Sequence, residues 1–205
     1  MTTERRDNGF TLMEVLISLT LLSIVLGAVY SSFFSIQRAL ERFETVSLKY
    51  HEARTTLDIM RREVESSFLK KPRADKEAGG GTSFNIKDRD IFGKNASALD
   101  LTAFSFKGGK VNTISYFVTE KEGGLELMKT VTPSIMRSGS YTVEMMEDIE
   151  GFSVEMLYNN NWVGTWNASD TGKLPDIVRL SIVFDDHGKN VTLTEYARPR
   201  VGKRL

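Results

Sequence analysis

One carboxylate, Glu14, lies at the start of an apolar stretch and is the only charged side chain between Asp7 and Arg38. From Val15 to Gln37 the chain has 23 residues without a charge. A carboxylate in the first turn of a helix is favoured by the helix dipole, but in lipid it is costly and normally has a partner. The chemistry that this residue type and position indicate is therefore ion pairing.

The remaining side chains that could do chemistry are few and scattered. The two histidines, His51 and His187, lie in different parts of the chain, and there is no cysteine. The absence of cysteine excludes disulfides, thiolate zinc sites and a cysteine nucleophile. No Walker A, G-x-S-x-G or H-E-x-x-H motif occurs, so an enzyme is not expected, and no catalytic residue or cofactor is assigned.

Two acidic pairs and two tryptophans leave alternatives open. The carboxylates at the ends of Asp88–Asp90 and in Asp185–Asp186 could bind calcium, but neither stretch has the EF-hand spacing. Solvated turn carboxylates are the preferred interpretation, and no metal ligand is assigned. Trp162 and Trp166 could mark a partner surface, because tryptophan is enriched at the centres of interfaces. Burial in the core is the preferred interpretation for both.

An apolar helix must position Glu14. About 20 residues cross the hydrocarbon core as a helix, so the uncharged stretch is long enough. A secretory signal peptide would end in an A-x-A-like cleavage site, and none follows here. Basic residues lie on both sides, with Arg5 and Arg6 before the stretch and Arg38 and Arg42 after it, so the charge count does not settle the orientation. The sequence therefore predicts one transmembrane helix.

The helical pattern continues beyond the apolar stretch. Apolar or small residues recur at steps of three or four, which is one face of an α-helix. They are Ile36, Leu40, Phe43, Val46, Tyr50, Ala53, Leu57, Met60, Val64 and Phe68. Three pairs of opposite charges four residues apart would support the helix. They are Arg54 with Asp58, Asp58 with Arg62, and Arg61 with Glu65. Because Pro72 ends the pattern, one helix is predicted from Phe10 to about Leu69.

Seven later segments alternate apolar and polar side chains between turn signals. They span residues 98–106, 111–119, 125–131, 141–146, 152–158, 177–184 and 190–196. The absence of long helical patterns between them favours an antiparallel sheet. The predicted fold class is α+β, with a long N-terminal helix packed on that sheet. The predicted division is a leader at 1–9, a transmembrane and assembly half-helix at 10–36, an amphipathic half-helix at 37–71, and a periplasmic β-rich part at 72–205.

The N-terminus resembles the processing site of type IV pilin-like proteins. Gly9, Phe10 and Glu14, ahead of a long apolar helix, carry the resemblance. By position, it implies that a prepilin peptidase cleaves between Gly9 and Phe10 and methylates the new amine of Phe10. It also implies that Glu14 is an assembly residue, which would pair with the amine of its own or a neighbouring Phe10. The leader departs from the family pattern in charge, since Glu4 and Asp7 offset its two arginines.

The C-terminal region resembles the minor pseudopilin J of type II secretion systems. Residues 148–184 contain an aromatic strand, two tryptophans, a Leu-Pro pair and an apolar strand, and residues 61–68 are also similar. The resemblance implies a structural subunit of a pseudopilus tip that helps to initiate assembly and the export of folded proteins. It also implies a single-pass protein of the bacterial inner membrane with its C-terminal domain in the periplasm.

The same resemblance implies a set of protein partners. They are the minor pseudopilins I and K, with H as a further candidate, the major pseudopilin and the prepilin peptidase; the secretin and secreted substrates are candidates at the tip. No nucleic-acid partner is expected, because 27 basic and 27 acidic residues give a net charge of zero. A minor pilin of a type IV pilus or of a DNA-uptake pilus shares this type of N-terminus and is the alternative interpretation.

Overall fold

The computed structural model of the chain describes five stretches of residues, which are 11–69, 82–104, 110–121, 123–133 and 139–201. The chain forms two compact units, Met1–Ser47 and Leu48–Leu205. The predicted cleavage residues Gly9 and Phe10 lie outside the described residues, as do residues 70–81, which follow the predicted helix.

Helix α1 (Leu12–Glu65) begins in the first unit and ends in the second. Every side chain of residues 11–40 is exposed, which includes Ile36 and Leu40 of the predicted stripe. In the second unit one face of the helix is buried, at the predicted steps of three or four. The buried apolar side chains are Ala53, Leu57, Met60 and Val64. The long N-terminal helix that the sequence predicts is thus confirmed.

The predicted end of the helix near Leu69 is wrong, because α1 ends at Glu65. The hydroxyl groups of Ser66 and Ser67 each donate a hydrogen bond to the carbonyl three residues earlier, at 3.1 and 2.7 Å. Such bonds compete with continuation of the helix. The N–H of Phe68 then donates to a carbonyl of the sheet at 3.1 Å, so the chain leaves the helix as it joins a strand.

The described residues contain eleven strands and one short second helix. They are β1 (Phe84–Lys87), β2 (Asp90–Ile91), β3 (Lys94–Asn95), β4 (Ala98–Phe104), β5 (Val111–Lys121), β6 (Gly124–Pro133), β7 (Tyr141–Tyr158), β8 (Asn161–Val163), β9 (Trp166–Asn167), α2 (Ala168–Thr171), β10 (Val178–Asp186) and β11 (Lys189–Ala197). One sheet has the order β11-β10-β7-β6-β5-β4-β1-β9, with β8 on β7, and β2 pairs with β3. All of these pairs are antiparallel, so the predicted α+β fold class is confirmed.

The segments predicted at 141–146 and 152–158 are not two strands but one, β7. Between them Asp148 has a positive φ of 49°, and the pairing register shifts on both sides of β7 close to this point. A bulge of this kind bends a strand without ending it. The first half of β7 pairs with β6 and the second half with β10. The bulge at Asp148, which separates the two predicted segments, therefore lets one strand pair in two parts of the sheet.

The turn signal between the predicted segments 177–184 and 190–196 is confirmed as a turn between β10 and β11. His187 and Gly188 have φ values of 53° and 81°, and Asp186 pairs with Lys189 on either side of them. Two residues with positive φ form the tight turn that matches the twist of a hairpin. This turn sets the register of β11, which is the edge strand at one end of the sheet order.

Candidate assembly segment and partner surface

The first turn of α1 is capped by a residue that sequence reasoning missed, Thr11. The N–H of Glu14 donates to the Thr11 hydroxyl oxygen at 3.2 Å and to its carbonyl at 3.1 Å, and the N–H of Val15 donates to the same carbonyl at 3.2 Å. A threonine followed three residues later by a glutamate is a capping-box pattern, and this signal was available in the sequence. Glu14 is consequently held in the first turn, at the positive end of the helix dipole.

Several polar side chains in the apolar part of α1 are satisfied within the helix. Leu12–Leu40 is long and apolar enough to cross a membrane. Four of its hydroxyl groups donate to carbonyls four residues earlier at 2.8 to 2.9 Å; they belong to Ser18, Thr20, Ser23 and Ser35. Polar groups that are satisfied within one helix can enter lipid at low cost. This span has two charged residues, Glu14 near its start and Arg38 near its C-terminal end.

A polar cluster, called the Glu63 cluster below, joins α1 to the sheet within the second unit. The Glu63 carboxylate accepts a hydrogen bond from the Tyr116 hydroxyl and another from the Lys129 ammonium, each at 2.5 Å. The Tyr116 side chain is fully buried. Burial raises the pKa of Tyr116 well above its usual value, and the Glu63 charge and hydrogen bond raise it further. The cluster therefore holds a charge pair beside a neutral phenol under the helix.

A second charged group lies at the C-terminal end of α1. The Arg61 guanidinium contacts Asp58 at 2.6 Å, Glu65 at 3.0 Å and Glu195 of β11 at 3.3 Å. The hydrogen bond from Arg61 is the largest effect that lowers the pKa of Asp58. Of the three predicted helix pairs, Asp58 with Arg62 and Arg61 with Glu65 are confirmed, at 2.7 and 3.0 Å.

The third predicted pair, Arg54 with Asp58, is wrong. The Asp58 carboxylate is instead occupied by Arg61, three residues along, and by Arg62, four residues along. Arg54 is exposed and has no ion-pair partner among the described residues.

The two tryptophans lie in different surroundings, and neither is fully buried. Trp166 packs against the core, and its indole N–H donates to the Lys173 carbonyl at 3.3 Å. Trp162 is covered by the Arg179 guanidinium, 4.3 Å from the ring centre, and its ring centre lies 5.9 Å from that of Tyr196. The expectation that both are core residues is therefore wrong for Trp162, which belongs to a half-exposed aromatic and cationic cluster.

Three of the four carboxylates considered for calcium are occupied in turns. Asp90 accepts the Gly93 N–H at 2.8 Å, and Asp185 accepts the Gly188 N–H at 3.1 Å. Asp186 contacts His187 at 2.7 Å. Within the part of the chain that the structure describes, no group of three or more metal-ligating side chains occurs. These carboxylates stabilise tight turns, as aspartates commonly do.

Comparison with known proteins covers nearly the whole chain. The family model for the type II secretion system (T2SS) protein J matches residues 31–195, and the model for the prokaryotic N-terminal methylation motif matches residues 5–30. A solved chain from the crystal structure of the GspK-GspI-GspJ complex of the enterotoxigenic Escherichia coli type 2 secretion system is also similar. It has a TM-score of 0.49 and 12% identity, over 76% of this chain and 99% of that one.

An exposed apolar N-terminal helix with a methylation motif, continued by a helix packed on antiparallel sheet, defines a pilin-like protein. The motif and the apolar helix together indicate membrane anchoring. Because the matched range covers most of the 205 residues, the chain belongs to the family of type II secretion system protein J. It is a minor pseudopilin, a structural subunit, and the resemblance described from its sequence is confirmed.

Proposed function

We propose that this minor pseudopilin works at the tip of a periplasmic pseudopilus, where it helps to initiate assembly and the export of folded proteins. Its partners there are the minor pseudopilins I and K, with H as a further candidate, and the major pseudopilin extends the same fibre. Membership of the protein J family over residues 31–195 is the observation that supports this role.

The proposed maturation step is cleavage between Gly9 and Phe10 by a prepilin peptidase, with N-methylation of Phe10. The methylation motif over residues 5–30 supports it. Residues 10–36 then serve as the membrane and assembly segment, and the C-terminal part is translocated to the periplasm, since large domains cross regardless of the flanking charges. Mass spectrometry of the membrane-purified chain should show a methylated start at Phe10. An intact Met1, or a start beyond Tyr30, would contradict this step.

Glu14 is the proposed assembly residue. The Thr11 cap holds it in the first turn, and the amine of Phe10 would lie four residues earlier, about 6 Å along the axis. The carboxylate enters a helical bundle at low cost only where a cation meets it, so pairing with the amine of its own or a neighbouring Phe10 would set the register of assembly. Loss of one member of a buried charge pair costs about 3–5 kcal/mol, and less at a hydrated membrane interface.

The test compares Glu14→Ala with Glu52→Ala in strains that carry only the variant chain. Glu52 lies on the same helix in the second unit and serves as the matched control. Glu14→Ala should leave cleavage and folding intact but reduce secretion and crosslinking to the I and K subunits, whereas Glu52→Ala should behave as the unmodified chain. Equal secretion and crosslinking in the two strains would remove Glu14 from the assembly mechanism.

A deletion strain tests the proposed role separately from the Glu14 mechanism. Loss of secretion with normal surface fibres and normal DNA uptake is expected for a pseudopilin. Loss of fibres or of DNA uptake with normal secretion would favour the type IV pilus or DNA-uptake alternative.

A further inference from the structure

The edge strand β11 presents a row of free backbone groups. In a two-residue hairpin the residues on either side of the turn, here Asp186 and Lys189, form a hydrogen-bonded pair. Hydrogen-bonded and non-hydrogen-bonded pairs then alternate along the register as far as Val178 with Ala197. The residues between the bonded ones direct their N–H and C=O groups away from β10. They are Asn190, Thr192, Thr194 and Tyr196, all exposed, and no other described backbone group bonds to them.

This edge lacks most of the features that prevent pairing with another strand. Protected edges are usually short, bulged, or guarded by proline or lysine. From Asn190 to Tyr196 there is no proline and no lysine, and the register with β10 has no shift. The one charged residue that points towards the helix, Glu195, is paired with Arg61 at 3.3 Å. The charge of Glu195 is therefore already compensated.

A groove beside the edge would receive alternate side chains of an added strand. It is lined by Arg54, Leu57, Asp58, Leu193, Thr194 and Glu195. Tyr50 of α1 contacts Phe184, which is paired with Val191 of β11. Further along α1, Arg61 contacts Glu195, which lies further along β11. Helix α1 and strand β11 therefore run in the same direction. Arg54 is therefore level with the part of β11 between Val191 and Leu193.

The charge in this groove selects the chemistry of the occupant. Asp58 and Glu195 are both paired with arginines, whereas the exposed Arg54 has no ion-pair partner among the described residues. An apolar side chain suits Leu57 and Leu193, and a carboxylate two residues further along an antiparallel strand suits Arg54. At the other end, Tyr196 contacts Trp162 and offers an aromatic surface to the outer side chains.

We propose that β11 is a docking site for an extended segment of a partner protein, which adds antiparallel to the edge and carries an apolar residue followed two positions later by a carboxylate. In such sites the main-chain hydrogen bonds provide affinity and the pockets for alternate side chains provide specificity. This inference does not depend on the proposed role at a pseudopilus tip.

The test uses the full chain in detergent micelles and a labelled synthetic peptide, Thr-Val-Thr-Leu-Thr-Glu-Thr, followed by fluorescence anisotropy. Its threonine amides would face β11, and its valine, leucine and glutamate would enter the groove. The matched probe is the same peptide with N-methyl groups on the amide nitrogens of its third and fifth residues, both threonines. This removes two hydrogen-bond donors and changes no side chain. Saturable binding is expected for the first peptide, with a loss of about tenfold or more for the second.

Two variants of the chain test the backbone and the charge separately. Thr192→Pro removes an outward N–H on an edge strand, where proline is tolerated, and should weaken binding about tenfold or more. Arg54→Glu should weaken binding of this peptide and restore binding of a peptide with lysine in place of glutamate. Arg89→Glu makes the same change at an exposed arginine next to β1, further along the sheet order, and should have no effect. Circular dichroism checks that each variant is folded, and if Thr192→Pro is not, the N-methylated peptide provides the backbone test.

Three results would overturn the proposal. The first is no saturable binding up to about 1 mM peptide. The second is binding that survives both N-methylation of the peptide and Thr192→Pro, or that is indifferent to the sign of the charge at Arg54. The third is a dimer of the full chain that Thr192→Pro dissociates, since a second copy would then occupy the edge.

Discussion

The two ends of helix α1 have the same backbone conformation and opposite side-chain surroundings. Every side chain of residues 11–40 is exposed, whereas Ala53, Met60 and Val64 are completely buried. The first end has apolar residues all round, and the second has them at steps of three or four with charges between. An all-round apolar surface suits lipid or other helices, while a single stripe suits one sheet face. The distribution of apolar residues, not helix propensity, therefore determines what each end contacts.

The largest expected effect compares the same substitution at both ends of α1. Leu57 is 3% exposed and Leu22 is 54% exposed. Leu57→Ala should lower the free energy of unfolding of the sheet-containing unit by about 2–5 kcal/mol, because it leaves a cavity in the core. Leu22→Ala should leave that value unchanged. Chemical denaturation of the full chain in detergent, followed by the circular dichroism of the sheet, measures both. Equal losses would show that the apolar end also supports the core.

The next effect concerns the Glu63 cluster, which only the buried end of α1 possesses. Glu63→Gln leaves the ammonium of Lys129, whose side chain is 11% exposed, without its carboxylate. The free energy of unfolding should fall by about 1–3 kcal/mol, since an unpaired charge remains partly buried. The pKa of Tyr116 should fall because the Glu63 charge is lost, yet it should stay above its ordinary value because the phenol remains buried. Glu52→Gln on the same helix is the control for the unfolding measurement, and a spectrophotometric titration reads the tyrosine. An unchanged pKa would contradict the assigned cause.

What the sequence predicts in this molecule depends on how local the signal is. The buried face of α1 and the turn at His187 follow from patterns within a few residues, and both are confirmed. The Glu63 cluster joins positions 53 and 66 residues apart, so no local spacing could reveal it. The pairing of β1 with β9, through Asn85 and Ile86, joins positions that are still further apart in the sequence. These strands of four and two residues are also too short to show alternation.

Competition between neighbours explains the errors. Arg54 and Asp58 have a favourable spacing, but two other arginines reach the same carboxylate. From the sequence, the bulge at Asp148 cannot be distinguished from a turn, because a single residue with positive φ can either end a strand or bend it. Packing of the neighbouring strands decides between these outcomes, and the sequence near the bulge does not contain that information.

A smaller effect is expected from pH, again only in the unit that contains the sheet. The Arg61 hydrogen bond lowers the pKa of Asp58 below its ordinary value of 3.8. A depressed pKa contributes stability above the unfolded-state value, and this contribution is lost as the pH falls through the folded-state value. The free energy of unfolding should therefore decline below about pH 4, by under about 1 kcal/mol from this partly exposed group. Asp58→Asn should remove that part of the decline. If the free energy of unfolding of this variant falls at low pH as much as that of the unmodified chain, the assignment to Asp58 is contradicted.

The smallest expected effect is the most direct test of the comparison. Removal of residues 1–36 deletes most of the apolar end of α1 and keeps the predicted amphipathic part from Gln37 onward. The buried side chains of the core all come from Ala53 or later, so the deletion removes none of them. The shortened chain should be soluble without detergent, and its free energy of unfolding should equal that of the full chain within about 0.5 kcal/mol. A start at Leu48 instead, at the boundary of the second unit, should give the same value, apart from fraying of the new helix end. Insolubility, or loss of the sheet signal in circular dichroism, would show that the two ends of the helix are not independent.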